Sequence, residues 1–121
     1  MNEPRRERME LVIPDKKLKR MLEDDSERRK RFGADMAKKV KVRMDSLAAA
    51  DCLADFWPPG SLPERCHELK ADLKGKFSMD VKQPYRLLFT VAVRSQDYDD
   101  ERQRWAAIKS VEIVGIEDTH G

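Results

Sequence analysis

The chain has 121 residues, a formal net charge of +2 and 40% charged residues, which suits one domain with a modest core. No apolar run approaches the ~20 residues needed to cross a bilayer. The basic MNEPRRERME opening lacks the apolar stretch of a secretory signal. Cys52 and Cys66 make neither a disulfide framework nor a zinc spacing, so free thiols in a reducing cytoplasm are expected.

Charge is unevenly spread. Residues 1–44 carry 15 basic against 9 acidic side chains, and residues 45–121 carry 10 against 14. That asymmetry admits a nucleic-acid or acidic-protein partner, and it equally suits solvated helix faces.

Residues 1–9 form a polar, flexible N-terminus, and one domain is expected over 10–121. Glu10 to Ile13 suits a short strand that Pro14 stops. Asp15 can cap the helix that follows, with Leu18, Met21 and Leu22 as its core stripe. That helix, or a broken continuation of it, runs to Gly33. A second helix is predicted from Ala34 to Ala50. Met36, Ala37, Val40, Met44, Leu47 and Ala48 form its buried face, and Lys38, Lys39, Lys41 and Arg43 its solvated one.

A loop with a Trp57-Pro58-Pro59-Gly60 breaker precedes three strands. Cys66 to Lys70 is a short first run. Lys76 to Val81 alternates Phe77, Met79 and Val81 with polar residues, and Arg86 to Val93 places Leu87, Phe89, Val91 and Val93 on one face. Gly75 supplies a hairpin turn and Gln83-Pro84 a second reversal. Residues 95–104 read as a polar loop. Trp105 to Ile116 reads as a strand apolar on both faces, hence interior to a sheet. The expected fold is α+β, a two-helix layer on a curved antiparallel β-sheet in the order β-α-α-β-β-β-β.

Two histidines stand at strand ends near carboxylates, His67 beside Glu68 and His120 two residues after Asp118. Imidazole exchanges protons near neutral pH, so two in one cleft would suit metal-free RNA cleavage. Arg86, Lys70, Lys74 and Lys76 are candidate phosphate clamps. Strict alternation sets His67 and Lys70 on opposite faces unless the strand ends near Leu69. Incidental surface histidines are the competing reading. No Gly-rich phosphate loop, nucleophile elbow or metal-ligand cluster is present in the sequence, and no cofactor is expected.

Gly33-x-x-x-Ala37-Lys38-Lys39, R-C-H-E-L-K at 65–70, K-G-K-F-S-M-D-V at 74–81, P-Y-R-L-L-F at 84–89 and V-E-I-V-G-I-E-D-T-H-G at 111–121 together resemble the HigB-like branch of the RelE/ParE toxin superfamily. The resemblance implies a cytoplasmic toxin of a type II toxin–antitoxin pair, which cleaves mRNA on the ribosome without a metal. It also implies a helix-turn-helix antitoxin as partner. Under it, the family's catalytic and binding positions fall on His67, Lys70, Arg86, Asp118 and His120. The family's ending usually reads Asp-Tyr-His, and here it reads Asp118-Thr119-His120. Threonine cannot stack on a base. A non-catalytic relative that only binds its antitoxin, or inhibits another target such as gyrase, is therefore the alternative.

Overall fold

The computed structural model describes residues 8–70 and 75–118. Strand β1 spans Glu10–Val12. Helix α1 (Lys16–Glu23) starts where the Asp15 carboxylate accepts the Leu18 amide at 2.9 Å. Helix α2 (Asp25–Phe32) follows at once, because Asp24 is extended, ends α1, and accepts the Glu27 amide at 3.0 Å. One aspartate serves two helix ends, so of the two expected forms, one helix or a broken continuation, the broken one is found. Gly33, at φ +80° and ψ 162°, separates α2 from α3 (Ala34–Ala49), a conformation open to glycine alone. Three helices therefore stand where a two-helix layer was expected.

The sheet has five strands in the order β1-β5-β4-β3-β2, with β2 at His67–Glu68, β3 at Lys76–Lys82, β4 at Tyr85–Thr90 and β5 at Ser110–Asp118. It is mixed rather than antiparallel throughout. β1 runs parallel to β5, and the other pairings are antiparallel. Gly75, at φ +92°, precedes β3, and Gln83-Pro84 turns the chain between β3 and β4. A fourth helix, α4 (Glu101–Ala107), occupies part of the expected polar loop and takes Trp105 out of the expected last strand. Asp100 caps it by accepting the Gln103 amide at 3.0 Å.

One sheet face makes the core. Phe77 and Met79 of β3, Leu87 and Phe89 of β4, and Val111 and Ile113 of β5 are buried with Leu22, Val40 and Leu47 of the helices. Phe77 stacks on Phe89 at 5.6 Å, Trp105 meets Phe77 edge-on at 5.5 Å, and Trp57 meets Trp105 edge-on at 5.1 Å. This aromatic chain fastens α4 and the 50–66 loop onto the sheet. Strand β5 is interior to the sheet, as expected, yet it is not apolar on both sides. It alternates, with Glu112 and Val114 exposed. A bulge between its Ile113 and Gly115 partners on β4 shifts the phase by one residue. Ile113 then faces the helices opposite Phe89, and Ile116 does so opposite Leu87.

Candidate functional site

The sheet face turned away from the helices carries the polar groups. Strand β2 pairs His67 with Ser78, and β3 pairs Ser78 with Leu88 and Asp80 with Arg86. Lys76 stands opposite Thr90 on the same side. Directly opposed residues share a face, so His67, Lys76 and Arg86 form one row of groups with Ser78 and Asp80 between them.

His67 is half-buried. Its Nδ1–H donates to the Arg65 carbonyl at 3.1 Å, since a carbonyl only accepts. In the neutral ring that bond leaves the Nε2 lone pair to act as a base. Arg65 has φ +50°, an uncommon value outside glycine, and this turns its carbonyl to the imidazole. Glu68, the carboxylate expected beside His67, goes to the other face. Both its oxygens meet Arg104 of α4, at 2.8 and 3.2 Å, and it also accepts the Gly75 amide at 3.0 Å.

Arg86 is largely buried, and its Nε lies 3.4 Å from Asp80 Oδ1. The same carboxylate meets Arg65 Nε at 3.5 Å through Oδ2. Asp80 donates its amide to the Glu64 carbonyl, and its own carbonyl accepts Arg43 Nε at 2.7 Å. Arg43 also pairs with Glu64 at 3.6 Å, so it leaves the solvated row of α3 to which its spacing assigned it. Ser78 is fully buried, and its hydroxyl has no hydrogen-bond partner.

Lys70 is exposed just beyond β2, which stops at Glu68 and so frees Lys70 from strand alternation. Asp118 is set opposite Tyr85, one step out of phase with the Glu117–Arg86 pair. Strand geometry therefore directs it to the face opposite Arg86. Glu117 and Glu112, opposite Arg86 and Thr90, bring negative charge to the outer face. Lys74 and His120, like Thr119, lie outside the described residues. Among the described residues no three His, Cys, Asp or Glu side chains gather as a metal site.

Arg65 and Asp80 were given no role by the sequence reading. Arg65 stands two residues before His67, and Asp80 alternates with Phe77, Met79 and Val81. Period-two counting places Asp80 on the outer face, whereas Arg65 stands in a turn before β2, where strand alternation does not apply.

Comparison with known proteins bears on this arrangement. No curated protein matches the chain. Among solved structures it is similar to a YoeB/ParE toxin from Agrobacterium tumefaciens, at 18% identity and a TM-score of 0.52, over 93% of this chain and 100% of that one. That likeness is one of fold. The family model described as the RelE-like toxin of type II toxin–antitoxin system HigB matches residues 12–101, from the last residue of β1 through β4 to the first residue of α4. The chain belongs to these HigB-like toxins, a family whose members imply an antitoxin partner.

Proposed function

We propose that this toxin cuts mRNA on the ribosome by metal-free transesterification, in the cytoplasm, until a helix-turn-helix antitoxin silences it. The observation that carries the reading is the shared outer face of His67 and Arg86, with the His67 tautomer set by the Arg65 carbonyl. His67 Nε2 takes the proton from a ribose 2′-OH, and the 2′-oxygen attacks the adjacent phosphorus. The Arg86 guanidinium holds the charge that grows on the non-bridging oxygens. The bond to the 5′-oxygen breaks, that oxygen takes a proton from a second acid, and a 2′,3′-cyclic phosphate remains. By the family resemblance the second acid is His120, assisted by Asp118. Lys70, Lys74 and Lys76 hold flanking phosphates.

A binding-only toxin is the second reading. Thr119 in place of a stacking tyrosine favours it, and so does Glu117 opposite Arg86, whose charge opposes RNA. Primer extension on a defined message in a translating extract separates the two. Discrete cuts by the wild type, lost in His67→Ala and in Arg86→Ala, are expected of the nuclease. An uncut message, from a protein that still binds its co-expressed antitoxin, overturns it.

A further inference from the structure

We infer that Arg65 and Arg86 together form a two-guanidinium phosphate clamp, with Asp80 as the residue that positions both. This rests on the RNA-cutting reading and adds Arg65 as a substrate-binding group. Three observations carry it. The Asp80 carboxylate lies between the two guanidiniums, 3.4 Å from Arg86 and 3.5 Å from Arg65. Arg65 lies in the turn just before β2, where the Asp80 amide donates to the neighbouring Glu64 carbonyl at 2.8 Å, and from that turn its guanidinium reaches the Asp80 carboxylate. The Arg65 backbone also holds the His67 ring, so the clamp and the base are joined through one residue.

The free donors favour an anion. Arg65 and Arg86 face two carboxylates, Asp80 between them and Glu117 opposite Arg86, but Glu117 is exposed and solvent screens its charge. A guanidinium has five N–H donors in a fixed fork, and each comes closest to Asp80 through Nε. The terminal donors of each fork are left for a second anion, and a phosphodiester presents two oxygens of matching geometry. Asp80 Oδ1 is buried and makes no hydrogen bond, so it holds Arg86 by charge rather than by consuming its donors. The Arg65 side chain is half exposed, which lets it meet a strand of RNA crossing the sheet.

The test uses Arg65→Asn, because asparagine tolerates positive φ and keeps the carbonyl that holds His67. Arg side-chain Nε–H signals of the full chain are followed by NMR as a 2′-O-methyl RNA trinucleotide is added, and the same variants are run in the translating extract. Arg65 and Arg86 signals are expected to move along one binding curve. Arg65→Asn should weaken binding and slow cutting by about tenfold each, the scale of one hydrogen bond to a charged group. Arg65→Lys should recover part of the binding loss, as a point charge without the fork. Asp80→Asn should weaken binding while keeping the fold. Movement of Arg86 alone, with Arg65→Asn binding and cutting as the wild type does, overturns the clamp and leaves the nuclease standing. Absence of both cutting and any Arg86 movement in the wild type overturns the nuclease and the clamp with it.

Discussion

Arg104 of α4 closes on Glu68 of β2 with two nitrogens, 2.8 and 3.2 Å from the two carboxylate oxygens. The guanidinium is almost fully buried, lies 5.5 Å over the Phe77 ring, and donates also to the Val93 carbonyl and to Glu101. Burial works against its charge, yet the bonds to Glu68 and Glu101 hold its pKa above the ordinary value. Glu68 is thereby committed to structure and is not a proton partner of His67. The short edge strand β2 is thereby tied to α4, 36 residues further along the chain.

Arg104→Met should expose what that tie contributes. Removing one partner of a buried pair leaves the other charge uncompensated, at about 3–5 kcal/mol. Glu68→Gln should cost less, since the amide still accepts from Arg104 and shares its shape. Urea unfolding of the two variants checks the order. Equal stability of wild type and Arg104→Met would show the network to be surface decoration.

Gly33→Ala tests the break between α2 and α3. Nothing lies within 4 Å of an added Cβ, so any loss comes from the backbone alone. At φ +80° and ψ 162° that loss should be about 1–3 kcal/mol. Gly33→D-alanine, made by semisynthesis, should recover most of it. A silent Gly33→Ala in thermal melts would mean that the helices rejoin without strain.

Much of this architecture was legible in the residues, and the misses have physical causes. Asp15, Gly33 and the Gln83-Pro84 reversal act where their chemistry put them. A broken helix was among the readings, but the break's position at Asp24 was hidden because Leu18 to Phe32 keeps a helical composition through it, and only the capping geometry places it. Helix α4 straddles the expected polar loop (95–104) and the expected last strand (105–116). Of its seven residues only Arg104 and Trp105 are buried, so no apolar stripe announces it, although Asp100 was a readable N-cap. Strand direction has no signature in period-two alternation, and β1 pairing parallel with β5 could not be read from it. His67 and Arg86 fell on one face because both lie in regular pairing. Asp118 did not, since the bulge at Val114 changes the phase of β5 by one residue.

Cys66 should make the fold sensitive to alkali. Burial pushes its thiol far above the ordinary value, and the Glu64 carboxylate adds to the shift. A raised pKa favours the neutral thiol in the folded state. Its stabilising effect is thus full below the unfolded value of about 8.5 and falls as pH rises beyond it, by about 1.4 kcal/mol per pH unit. Urea midpoints of wild type and Cys66→Ala between pH 8 and 10 provide the check. Cys66→Ala should lose stability less steeply. Parallel curves would assign the alkaline loss to other groups.

His67 and Arg86 should behave as one unit in cleavage. General-base removal by His67→Ala is expected to slow cutting by about 10²–10⁴-fold. Loss of the charge on the phosphate through Arg86→Ala should slow it by about 10²–10³-fold. Each acts on the same transition state, His67 by generating the attacking oxygen and Arg86 by accepting the charge this creates. Once either is gone, the other has less to stabilise, so the double variant should fall far short of the product of the two losses. Single-turnover primer extension in a translating extract measures all four corners of the cycle. Strictly multiplicative losses would separate the two residues. His67 would then serve the face only through its bond to the Arg65 carbonyl, and the base would have to be sought elsewhere on the sheet.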